Sequence, residues 1–266
     1  MSARRGVVRH ENLCQNPRIV IFEHPDRGDA PIHEVEFLPN EEEVTRARIA
    51  AEVKLLLSTP NRVLVQSVFV QPFTEDVAPE ALQKADAQEK MPLASRWNGT
   101  PEFKVISSYL TCLPAPGCRL TWLRVAFELG SDSDEVLRPI ACALYPATQQ
   151  DAIKITSSFE ISNKLTIKVL EAGGKEGGGT EHQENHYRIT TYGAFGSSPV
   201  WDFSQTQVNP EIQGDVHLLM VVATPPRSKN SGELRLSARA ELRTGLQIPL
   251  ITRRSADSAE TLKFDI

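Results

Sequence analysis

Glu181-His182-Gln183-Glu184-Asn185-His186 is the segment of this 266-residue chain best equipped for metal chemistry. In an extended backbone His182, Glu184 and His186 project to one side at i, i+2 and i+4. Two imidazoles and a carboxylate suit zinc, iron or manganese, and a metal held there would make the chain a metal-dependent enzyme. Against this stands a plainer reading of the same residues. They follow a glycine-rich run over 173–179, no spacing pattern of a metal-binding barrel accompanies them, and a solvated loop has the same composition. No other cofactor is expected.

A second cation candidate is the acidic stretch Ser131-Asp132-Ser133-Asp134-Glu135, which lies between two strand patterns. Calcium needs hard oxygen ligands converging from neighbouring loops, and Asp202 is the one contributor in view from elsewhere. A turn explains the stretch as well. Trp201-Asp202-Phe203 follows a Gly/Ser-rich connection, and a Trp and a Phe two residues apart on a short strand anchor a sandwich core. The functional alternative makes Trp201 and Asp202 a loop-borne contact for a sugar or a protein. Trp97, beside a polar stretch, is expected to be an exposed aromatic and the better binding candidate.

Other chemistry finds no footing. There is no Gly-x-Ser-x-Gly elbow, so no nucleophile is marked by its local sequence. Residues 173–179 do not lead into Lys-Ser/Thr, so no phosphate loop is present. Lys plus Arg number 29 against 34 Asp plus Glu, a formal charge of −5, and aromatics are 6% of the chain. That balance is not the basic footprint of a general nucleic-acid binder. No apolar run approaches the roughly 18 residues of a membrane span. The opening residues carry no hydrophobic run either, so a cytoplasmic location is expected. Cys14, Cys112, Cys118 and Cys142 are then expected as thiols. Cys112 and Cys118 flank a Pro-rich turn, where a hairpin would bring them face to face.

The elements that must carry these residues are mainly strands. From Ile153 the odd positions Ile153, Ile155, Phe159 and Ile161, then Leu165, Ile167 and Val169, are apolar between polar neighbours. From Leu234 the even positions Leu234, Leu236, Ala238, Ala240 and Leu242 alternate with Glu233, Arg235, Ser237, Arg239 and Glu241. A period of two means half-buried strands. Strand patterns also fall over 18–22, 32–38, 62–70, 103–111, 119–129, 138–145, 187–192, 216–224, 246–251 and 262–266. The 62–70 and 216–224 patterns are apolar on both faces and should be central in a sheet.

Parity constrains the pairing of neighbours, because antiparallel partners share a face and their numbers must sum to an even value. A three-residue turn, or a bulge, is needed between the 153–161 and 165–169 patterns. The same arithmetic permits a hairpin of 216–222 with 234–242. One segment, 41–58, reads as an amphipathic helix, with Ile49, Ala50, Val53, Leu56 and Leu57 on one face.

The fold expected is mainly β: an antiparallel β-sandwich, jelly-roll-like, over 96–266, with a small α/β subdomain over 1–75 and a linker over 76–95. The function expected is a non-enzymatic protein-binding or assembly module, with a protein partner or self-association. A carbohydrate- or small-ligand-binding sandwich and the His182/Glu184/His186 metal enzyme are the alternatives.

Overall fold

The structure, a computed structural model, describes residues 8–11, 18–23, 31–39, 59–73, 93–131, 137–146, 158–162, 165–170, 188–206, 211–242, 249–254 and 261–266. These residues form two sheets and one short helix. Strands β1 (Val8–Glu11), β2 (Arg18–Glu23), β8 (Ser158–Ser162) and β9 (Leu165–Leu170) make a four-stranded sheet in the order β1-β2-β9-β8. Its β2–β9 pair is parallel and the other two pairs are antiparallel.

The remaining strands are β3 (His33–Pro39), β4 (Asn61–Pro72), β5 (Glu102–Leu113), β6 (Cys118–Ser131), β7 (Ile140–Tyr145), β10 (Arg188–Tyr192), β11 (Val200–Ser204), β12 (Gly214–Thr224), β13 (Asn230–Leu242), β14 (Pro249–Arg254) and β15 (Leu262–Asp265). They run in the order β10-β11-β6-β13-β14-β3-β4-β5-β12-β7, with β15 on the edge of β13 beside β14. Every pairing in this sheet is antiparallel.

The large sheet is a sandwich because it folds over on itself. One buried apolar cluster draws Phe37, Val65, Leu110, Leu218 and Met220 from one half and Leu123, Phe127, Trp201, Phe203 and Leu236 from the other. Two faces at period two are thereby buried against each other. The switch between halves is β14. It pairs with β13 at 249–251 and then leaves to pair with β3 at 252–254. The stretch of β13 edge beyond it, at 231–234, is taken by β15. At the far edge the 193–199 turn bridges the halves. Phe195 N–H donates to Ala141 O at 2.6 Å and Ala141 N–H to Gly196 O at 2.9 Å, while Phe127 and Leu129 donate to Pro199 and Ser197 carbonyls. Gly193 sits there at φ 77°, where a side chain would collide with the Ser198 carbonyl.

Two expectations are corrected. The 216–222/234–242 hairpin does not form, because β12 lies between β5 and β7 while β13 lies between β6 and β14. Even parity permits a pairing without requiring it. In β12, Leu219, Val221 and Ala223 are as buried as the core-facing Leu218 and Val222, so the strand needs a neighbour on each side within its own half. Likewise β5 and β6 are not a hairpin. Their connection crosses between halves, with Ala115 N–H donating to the Asn61 side-chain oxygen at 2.9 Å. Cys112 and Cys118 are therefore buried thiols in opposite halves.

β4, apolar on both faces, pairs with β3 on one side and with β5 on the other, so β3 and β4 are built into the sandwich sheet, whereas β1 and β2 belong to the four-stranded sheet. The helix expected over 41–58 and most of the 76–95 linker lie outside the described residues. The last residues of that span enter the helix α1 (Leu93–Arg96).

The β8–β9 hairpin follows its parity rule. Phe159↔Ile167 and Glu160↔Thr166 have even sums, and a bulge after Glu160 absorbs the odd residue before the turn. Residues 151–157 of that pattern lie outside the described residues.

Candidate functional surface

The residues singled out by sequence go to different places. His182, Glu184 and His186 lie outside the described residues, as do Asp132, Ser133, Asp134 and Glu135. Among the described residues no three His, Cys, Asp or Glu side chains come together to hold a metal.

Trp97 is not exposed: it retains 4% of its accessible surface. It sits in the turn after α1, which is closed by Gly99 N–H donating to Ala94 O at 3.0 Å and which meets the Pro226 ring of the β12–β13 crossing at Gly99. Trp201 is wholly buried. Its indole Nε1–H donates to Pro146 O at 3.1 Å and its ring meets Phe127 edge-on. This is the core-anchor reading, and it removes Trp201 from any contact surface.

Asp202, one residue on, points to the other side of β11. Both its oxygens are taken by one arginine: Arg124 Nε donates to Oδ1 at 2.7 Å and Nη2 to Oδ2 at 2.6 Å. A carboxylate clamped by a guanidinium fork is not a free calcium ligand. The clamp instead fixes Arg124, whose pKa is held above its ordinary value first by that hydrogen bond.

Around Arg124 the outward side of the β10-β11-β6-β13 half carries a set that sequence reading had not picked out. In β6, Leu123, Val125, Phe127 and Leu129 face the core, and Trp122, Arg124, Ala126 and Glu128 face away. A bulge at Thr121, where the register steps from Arg239↔Trp122 to Ala240↔Leu120, lets Leu120 face the core as well. Trp122 is thus directed outward on the polar side of its strand. Two guanidiniums flank it, Arg124 at 5.3 Å and Arg239 at 5.1 Å from the ring centroid, both within cation–π range.

The row through Trp122 runs Arg188, Ser204, Trp122, Arg239 across β10, β11, β6 and β13. The next row runs Thr190, Asp202, Arg124, Ser237. The other arginines of this face are paired: Arg119 with Glu241 at 2.8 Å, Arg124 with Asp202, and Arg235 with Glu233 at 3.1 Å. Arg188 and Arg239, both exposed, form no ion pair among the described residues. The signal available in the sequence was phase. In 119–129 the apolar run occupies the odd positions from Leu123, so an aromatic at even position 122 belongs to the water side.

One other polar set imitates a catalytic arrangement. Ser107 Oγ and His217 Nε2 lie 2.8 Å apart, and Asp215 accepts from Thr111 Oγ1 at 2.7 Å and Tyr109 OH at 3.4 Å. A serine beside an imidazole is the start of a nucleophile–base pair. Ser107 is, however, completely buried, with no surface for a substrate carbonyl to reach. These are cross-strand bonds between β5 and β12 that satisfy polar groups on a covered sheet face. The neighbouring Cys112 thiol is pushed up to about 12, by burial first and by the Asp215 charge second, and stays protonated.

The chain matches no protein-family model and no curated protein. Among solved structures it is similar to the NetB toxin of Clostridium perfringens in its membrane-inserted form, at 7% identity and TM-score 0.30, covering 62% of this chain and 83% of that one. It is also similar to a pore-forming protein at 8% identity and TM-score 0.32, covering 78% of this chain and 91% of that one. Likenesses this distant carry no function to this chain. No helix among the described residues is long and apolar enough to cross a membrane, which says nothing of strands.

Proposed function

We propose that the chain is a non-enzymatic β-sandwich module that binds a protein partner, and that the outward face around Trp122 is its contact surface. The observation that carries this reading is the indole of Trp122 on the polar side of β6, flanked by Arg124 and Arg239. Trp, Tyr and Arg are the residues enriched where a few side chains dominate binding energy. Here two arginines and a tryptophan sit together on rigid strands, and Tyr192, 53% exposed, lies at the edge of the same face. Asp202 fixes one of the arginines before any partner arrives, which lowers the ordering cost of binding. A carbohydrate ligand would stack on the same indole, and a second copy of the chain would bury the same face.

The test is quantitative co-purification from the native cell with wild-type chain and Trp122→Ala side by side. The reading requires a protein recovered in fixed ratio with wild type and reduced at least tenfold with the variant. Equal recovery by both chains would remove the Trp122 face as the contact. Recovery of this chain alone, as a dimer in sedimentation that Trp122→Ala dissolves, would make the partner a second copy.

A further inference from the structure

On the reading that the Trp122 face is a contact surface, we infer that the partner segment seated there is acidic and that its carboxylates are received by Arg188 and Arg239. The inference rests on charge. Arg119, Arg124 and Arg235 on this face already hold a carboxylate of their own, and Glu233 is shared further with Lys263 at 3.3 Å. The end of the face towards Glu128 is likewise balanced, with Glu128 paired to Arg138 at 3.4 Å and accepting from Ser198 Oγ at 2.9 Å.

What is left over is positive and sits at one level. Arg188 and Arg239 are the exposed arginines of the face without an ion pair among the described residues, and both lie in the row of Trp122. A protein of formal charge −5 therefore presents a local positive site built around an indole. A second copy of the face is a poor complement, because its opposite end is neutral and its Trp122 end is positive.

The spacing adds to the inference. Three strand intervals separate Arg188 from Arg239, about 14 Å at the usual strand separation. In an extended peptide that is the distance between carboxylates four residues apart, about 13 Å. Trp122, two strand intervals from Arg188 and one from Arg239, would lie beneath the half of the peptide nearer Arg239, and the Ser204 and Ser237 hydroxyls would face the peptide backbone. Arginine forks bind carboxylates in a bidentate way that lysine does not.

The experiment uses the full chain and a fluorescein-labelled synthetic decapeptide with two glutamates four residues apart and a leucine midway between them. Its glutamine counterpart is the control. Binding is read by anisotropy at two salt concentrations. The glutamate peptide is expected to bind the wild-type chain at least tenfold tighter than the glutamine peptide, and to weaken as salt rises. Arg188→Gln/Arg239→Gln should remove most of that tenfold preference. As a surface change, this pair should leave the unfolding midpoint in place, which a melt verifies, and Arg188→Lys/Arg239→Lys should recover only part of the preference.

Equal binding of the two peptides would overturn the inference. So would binding of vesicles containing 30% phosphatidylserine in place of the peptide, since the ligand would then be a lipid surface. The two readings fail separately. A partner whose co-purification depends on Trp122 but is indifferent to Arg188→Gln/Arg239→Gln and to salt would overturn the acidic-segment inference alone. Loss of the Trp122 dependence would overturn the parent reading.

Discussion

Gly232 on β13 offers the sharpest test of how the sandwich edge is built. A methyl group added there would fall inside the Phe264 ring of β15, 2.7 Å from Cε1 and nearer still to Cζ. Gly232↔Phe264 is a registered pair, so the ring lies across the glycine instead of beside a side chain. The Gly232→Ala variant must therefore expel the ring. Phe264 meets Phe127 edge-on at 6.1 Å and 80°, a contact worth about 0.5–1.5 kcal/mol beyond its buried area. Phe264 is half-buried, and half of a full phenylalanine transfer is about 1 kcal/mol. Alanine returns about 0.5–1 kcal/mol through the lower backbone entropy of the unfolded chain. The expected net loss is about 0.5–2 kcal/mol, or roughly 2–6 °C in melting midpoint for a chain of this size.

The double-mutant cycle makes the reasoning strict. With Phe264→Ala already in place there is no ring to expel, and Gly232→Ala should be neutral or stabilising by about 0.5 kcal/mol. Urea melts of the four chains would read the coupling, expected near 1.5–2 kcal/mol. A neutral Gly232→Ala in the otherwise wild-type chain, or strict additivity in the cycle, would refute the packing of β15 on β13.

Other outcomes follow from the same geometry. Trp201→Phe removes the indole donor from Pro146 O and leaves a small void beside Phe127, and should cost about 2–4 kcal/mol in a urea melt. The Cys112 thiol, pushed up to about 12, should resist a thiol reagent at pH 8 in the native protein and react once urea unfolds it. Immediate native labelling would contradict its burial. Glu233 is held below its ordinary value of 4.5 by hydrogen bonds from Arg235 first and Lys263 second. A depressed carboxylate contributes stability that is present above 4.5 and is lost as pH falls through its lowered folded value. For a solvent-screened group this is well under about 1 kcal/mol. Lys263→Ala should flatten that part of the acid limb of a stability–pH profile, and an unchanged limb would remove the Lys263 contribution.

Much of the strand content was legible because it depends on period two, which each segment declares alone. In β13, Leu234, Leu236, Ala238 and Ala240 are buried and Arg235 and Arg239 exposed, as the alternation requires. Pairing was not legible in the same way, since a sandwich sends neighbours in sequence to opposite halves. The connections after Leu113 and Thr224 look like hairpin turns and are crossings, and parity is satisfied either way. The membership of β3 and β4 in the main sheet depends on long-range partners, β14 and β5, that no local pattern names.

The site divides similarly. Trp201 reads as a core anchor and is one, whereas Trp97 is buried although its neighbourhood in sequence is polar, in a turn that Pro226, distant along the chain, meets at Gly99. Trp122 was visible as an aromatic out of phase with Leu123 and Val125, but Arg239 and Arg188 join it only through the strand order.

The measurement to make first is photo-crosslinking in the native cell from Ser237, whose neighbour across the strands is Arg124, with the same crosslinker at Lys104 on the opposite half as control. A contact surface around Trp122 should give one discrete protein adduct from position 237, absent from position 104 and lost when Trp122→Ala is added. Adducts of equal yield from both positions, or an adduct from position 237 that survives Trp122→Ala, would contradict it.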